Sequence, residues 1–171
     1  SRVFLGGAFA TVNGQPRARL AAVDRSGALV SGWRASTTGL VRDLEVVGDD
    51  LFVAGAFGQL NGASKSGLAK VAVATGQLQS SWHAPASGGR PWAIALSASG
   101  GELIVGGDFT SLDGRARESL AAVTVQGGDV TNWDPRAACS DCPVFDVAVD
   151  GSAVYGAVAG PGGRAVRWSM S

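Results

Sequence analysis

The residues of this chain whose types could do chemistry are few: one histidine, two cysteines and a scatter of carboxylates. Cys139 and Cys142 are separated only by Ser140 and Asp141, between Pro135 and Pro143 in a predicted loop. A redox Cys-x-x-Cys opens a helix whose N-terminus lowers the thiol pKa, and no helix is predicted here. Zinc would need further ligands that the lone His83 cannot complete. The reading is a small loop-closing disulfide between Cys139 and Cys142, with two free thiols as the alternative. A disulfide favours an oxidising, extracellular address.

His83 lies in Ser81-Trp82-His83-Ala84-Pro85, with no second histidine for a metal and no Ser-His-Asp arrangement. Asp43, Asp108 and Asp146 fall near predicted inner strands, where paired carboxylates could meet; hydrogen bonding to neighbouring strands is the competing use. Neither Gly6-Gly7 nor Gly160-Pro161-Gly162-Gly163 carries the lysine and Ser/Thr of a phosphate loop or precedes a helix. The expectation is a protein that is not an enzyme, with no cofactor and no metal.

The elements that position these residues come from a repeat. Gly6-Gly7-Ala8-Phe9, Asn13-Gly14, Leu20-Ala21 and Trp33 recur as Ala54-Gly55-Ala56-Phe57, Asn61-Gly62, Leu68-Ala69 and Trp82. They recur again as Gly106-Gly107-Asp108-Phe109, Asp113-Gly114, Leu120-Ala121 and Trp133. Phe57 follows Phe9 by 48 positions and Phe109 follows Phe57 by 52, a period of β-propeller blades. Leu51-Phe52-Val53-Ala54 reads as a strand apolar on both faces, Leu68 to Val73 as its neighbour, Leu78 to Trp82 as an outer strand and Trp92 to Leu96 as the start of the next sheet. The repeated Gly-Gly is read as close backbone packing, and the repeated tryptophan as core between blades.

The fold expectation is therefore all-β: about three and a half four-stranded antiparallel β-propeller blades of about 50 residues each. They form one repeat domain over 1–171, with units at about 3–50, 51–102 and 103–153 and a partial unit at 154–171. Each end breaks off inside a blade, leaving an edge that invites a partner strand. Association with another chain, or with remaining blades of a larger ring, is expected, and a compact four-bladed ring is the alternative. The start at Ser1, running straight into Val3-Phe4-Leu5, suggests an upstream segment that included a signal peptide.

The pattern Gly-Gly-x-Phe, Asn/Asp-Gly, Leu-Ala, then Gly and Trp resembles the delta-60 repeat family of bacterial β-propeller proteins and, more distantly, Kelch repeats. The resemblance spans about residues 3–168. It implies a structural repeat and no shared catalytic residues. The cysteine loop is an insertion in the third unit, and in the fourth the Asn-Gly turn gives way to Gly-Pro-Gly-Gly.

Charge balances to a formal zero from 14 basic and 14 acidic side chains. Along the blades it separates. The connections at one end carry Arg17, Arg19, Arg34, Lys65, Arg90, Arg115, Arg117, Arg136 and Arg164, and the turns at the other are mainly acidic. A ligand face of Arg17, Arg19, Lys65, His83, Arg90, Arg115 and Arg117 is expected, docking an anionic polysaccharide or protein surface. Nucleic acid is not expected, because no aromatic residues interleave with these bases. No apolar run approaches the length that crosses a bilayer. The functional expectation is a secreted or cell-surface repeat module mediating protein or glycan interaction. The alternatives are a lectin-like propeller, with a sugar stacked on Trp92 or Trp168, and a fragment of a propeller glycoside hydrolase.

Overall fold

The computed structural model describes residues 1–135, 142–160 and 163–170. In the first unit the strands are β1 (Arg2–Gly6), β2 (Thr11–Val12), β3 (Gln15–Pro16) and β4 (Leu20–Asp24). The second holds β5 (Leu40–Val47), β6 (Asp50–Ala56), β7 (Gln59–Leu60), β8 (Ala63–Ser64) and β9 (Leu68–Ala72). The third holds β10 (Ala86–Ser87), β11 (Pro91–Leu96), β12 (Glu102–Gly107), β13 (Ser111–Leu112), β14 (Arg115–Ala116) and β15 (Leu120–Thr124). The fourth is β16 (Val144–Asp150), β17 (Ala153–Val158) and β18 (Arg164–Ser169). The fold is all-β, and every ladder is antiparallel.

The longer strands make one two-stranded sheet, β1-β4, and three meanders, β5-β6-β9, β11-β12-β15 and β16-β17-β18. The four-stranded unit expected from the sequence is corrected here. Leu78 to Trp82 is not a strand: one bridge joins Val71 to Leu78, and a turn donating the Trp82 amide to Gln79 O then carries the chain away. The same single bridge recurs between Val23 and Leu29 and between Val123 and Val130.

Sheets stack face on face, with one apolar cluster between each neighbouring pair. Leu51 and Val53 face the cluster shared with Leu20, Ala22 and Val41. Phe52 and Ala54, on the other face of β6, join Ile94, Leu103 and Val105. A third cluster joins Ile104 and Ala122 to Val144, Val147 and Val154. Hence β6 and β12 are buried on both faces, and their near-continuous apolar sequence follows from that.

The glycine doublets serve this stacking. A Cβ at Gly6 would lie 2.5 Å from Val41 Cγ1, and one at Gly106 would lie 2.9 Å from Val144 Cγ1, each on the next sheet. The Asn-Gly and Asp-Gly dipeptides close hairpins of two-residue strands: Asn13, Asn61 and Asp113 and the glycine after each all have positive φ, the requirement of a type I′ turn.

The tryptophans join consecutive units. Trp33 and Trp82 are fully buried, each against the aromatic ring of its own unit's strand: Phe4 at 5.3 Å and Phe52 at 5.4 Å. Trp82 Nε1 donates to Thr124 O at 3.2 Å, and Trp133 Nε1 donates to Ser169 O at 2.7 Å, in each case one unit further on. Trp133 itself is only half-buried.

Candidate functional site

The first residues of β5, β11 and β16 form the most distinctive exposed arrangement. These three strands stand side by side, one from each meander, and each begins with a β-bulge. The ladder skips Arg42 between Val41 and Asp43, Trp92 between Pro91 and Ala93, and Phe145 between Val144 and Asp146. A bulge leaves one residue unpaired and re-aims its side chain. Here the three re-aimed side chains meet. The Arg42 guanidinium lies over the Trp92 ring at 5.0 Å, and Phe145 stacks on Trp92 at 5.0 Å with 17° between planes. Phe145 remains 54% exposed.

Carboxylates follow two of the bulges. Asp43 accepts from Leu44 N and, across the sheet boundary, from Ile94 N, both at 2.8 Å. Asp146 accepts from Val147 N at 2.9 Å. Burial pushes the Asp43 carboxyl above its usual range, and the Asp146 charge adds to the shift, while the two amide bonds oppose it. Glu45 is raised too, by burial and then by Asp43. Asp108 accepts from the Arg90 amide. All three aspartates singled out in the sequence thus hydrogen-bond backbone amides.

The expected basic face is divided by the structure. Arg17, Lys65 and Arg117 occupy one register, four residues after Asn13, Asn61 and Asp113. Arg17 and Lys65 are buried and Arg117 is nearly so. Lys65 Nζ donates to Ser80 O at 3.2 Å and Trp82 O at 2.6 Å. Arg117 Nη2 donates to the equivalent Thr131 O at 2.7 Å, with Asp134 at 3.8 Å. Arg17 Nη1 donates to Pro16 O at 2.7 Å. Lys65 and Arg117 hold carbonyls of the segment at the tryptophan and are used by the fold, whereas Arg17 bonds only its neighbour, and its buried Nε and Nη2 have no partner among the described residues. Arg19 is half-buried on Thr37 O, and Arg115 donates to Val130 O. His83, Arg90 and Arg115 are the exposed members of the set.

Trp92, one of the two rings expected to receive a sugar, is covered by Arg42 on its one side and by Phe145 stacking. Trp168 packs against Gly156, where a Cβ would lie 2.8 Å from the ring. With Trp133, Glu102, Asp134 and Met170 it lines a cleft of about 560 Å³. Cys142 is buried and disulfide-bonded; Cys139, its expected partner, lies outside the described residues, as does Arg136. Among the described residues no cluster of three metal-ligating side chains occurs, and no helix is long and apolar enough to cross a membrane.

Sequence reasoning missed the stack. Its signal is visible once the inner strands are aligned as Val41-Arg42-Asp43-Leu44, Pro91-Trp92-Ala93-Ile94 and Val144-Phe145-Asp146-Val147: a large side chain breaks the alternation at one position in each. No protein-family model matches this chain, and no curated protein matches it.

Proposed function

We propose that the chain is a non-enzymatic β-propeller repeat module of delta-60 type that binds a protein or glycan through the end of the sheets where the bulges and hairpins lie. The successive meanders, packed face on face at the repeat period, support their role as consecutive blades. The observation that carries the binding role is the Arg42, Trp92 and Phe145 stack, an exposed aromatic surface drawn from three units and built by three bulges. Bulges at one register that converge on solvent favour recognition over packing. A disulfide at Cys142 fits an extracellular or cell-surface address.

One observation favours the lectin-like reading: the cleft between Trp133 and Trp168, which pairs aromatic rings with Glu102 and Asp134. Rings beside carboxylates suit a sugar's apolar face and its hydroxyls.

Probing a glycan array and a peptide library with the chain tests both readings. Saturable binding without turnover is expected. Loss of glycan binding in Trp168→Ala alone would select the cleft, and release of hydrolysed glycan would overturn the non-enzymatic reading.

A further inference from the structure

The stack has two unlike ends. At one, a guanidinium caps an aromatic ring; at the other, Phe145 shows solvent a ring, and the exposed Asp146 is the next residue in the chain. Resting on the interaction-module reading, we propose that this second end is a receptor for an arginine side chain of a partner protein, whose guanidinium stacks on Phe145 and pairs with Asp146.

Three observations converge on a planar cation. The molecule already contains the geometry: Arg42 over Trp92 at 5.0 Å shows that this bulge register spaces an aromatic face for a guanidinium. Phe145 carries no polar handle, so its exposed face offers a ligand only apolar contact and the negative potential of the ring, and cations answer both. The third is the unused acceptor. Asp43 engages Leu44 N with one oxygen and Ile94 N with the other. Asp146, at the same register, binds Val147 N through Oδ1, and among the described residues nothing is hydrogen-bonded to its Oδ2. A guanidinium is flat enough to stack and has N–H groups in its plane that reach such an oxygen, whereas an ammonium can do only one of these well. The Asp146 charge is felt at Asp43, so a second carboxylate stands near this end of the stack. A sugar ring would lack that charge match.

The experiment is an NMR titration of the intact chain, following the Phe145 ring and the Asp146 amide. The probes are three blocked tripeptides, Gly-Arg-Gly, Gly-Lys-Gly and Gly-citrulline-Gly. Shifts at both residues that saturate with the arginine peptide are expected, about fivefold weaker with lysine and absent with citrulline. Phe145→Ala and Asp146→Asn, both at exposed positions, should each weaken arginine binding about fivefold with an unchanged circular dichroism spectrum. Equal response to citrulline, or no loss in either variant, would overturn the proposal. So would shifts driven by neutral oligosaccharides, or concentration-dependent protection of Phe145 without probe, which would give the face to a glycan or a second copy. If binding on the arrays persists while the arginine peptide fails, this site is wrong and the interaction-module reading stands; if both fail, that reading falls as well.

Discussion

Lys65 Nζ donates to the main-chain carbonyl of Trp82 at 2.6 Å, in the interior of the protein. A second bond reaches Ser80 O, and burial lowers the lysine's pKa. The cation is retained because the buried carbonyl of Trp82 would otherwise lose its donor.

Lys65→Met should therefore cost about 1 to 3 kcal/mol of stability, the usual penalty for leaving a buried acceptor unpaired. Lys65→Arg, which introduces the residue that Arg17 and Arg117 place at this register, should cost much less. Urea denaturation of the two variants checks the difference, and equal losses would contradict a hydrogen-bonding role.

Trp82 and Trp133 hold corresponding places in the repeat but not corresponding environments. Truncating Trp82 to alanine removes a fully buried ring, its edge contact with Phe52 and its bond to Thr124 O, and should cost about 3 to 5 kcal/mol. Trp133→Ala, at a half-buried site, should cost clearly less. Thermal unfolding of the pair tests the ordering.

The bulge that aims Trp92 depends on Gly107. A Cβ there would lie 2.1 Å from Arg90 O, and Gly55 meets Leu40 O in the same way one unit earlier. Gly107→Ala should destabilise the protein by about 2 kcal/mol or more and disturb the Phe145 ring resonance, since Trp92 would shift beneath it. An unaltered resonance would separate the bulge from the stack.

Asp43 supplies a pH dependence of definite sign. Its folded pKa is raised above the ordinary 3.8, chiefly by burial. The protonated carboxyl is thus favoured by the fold: its contribution is full below the unfolded value and is lost as pH rises through the folded one. Wild type should be most stable relative to Asp43→Asn in acid, the advantage shrinking towards neutrality. Urea midpoints for both proteins across the carboxylate range decide it; an advantage that grows with pH would reverse the assignment.

Much of the scaffold was legible because it is written in side-chain type. Leu51 to Ala54 is apolar on both faces because β6 lies between two sheets, and Asn61-Gly62 is a tight turn because both residues adopt positive φ. Three features were hidden. The outer strand expected at Leu78 to Trp82 shrinks to one bridge because the Trp82 amide turns back to Gln79, which an apolar count does not register. Basic side chains at connections read as a solvent face, yet Arg17 and Lys65 point inward to carbonyls that carry no sequence signature. The stack escaped for a related reason. A bulge is a property of pairing register, and only three aligned strands reveal that Arg42, Trp92 and Phe145 share one.

The indole bonds between units are not uniform along the molecule. Trp82 and Trp133 each donate to a carbonyl of the following unit, whereas the buried Nε1 of Trp33 has no acceptor among the described residues. Stretched between its ends in an optical trap, the chain should therefore yield in a set sequence. The junction after the first unit lacks this latch and gives way at the lowest force, so tension on the molecule would peel it from its amino end inward.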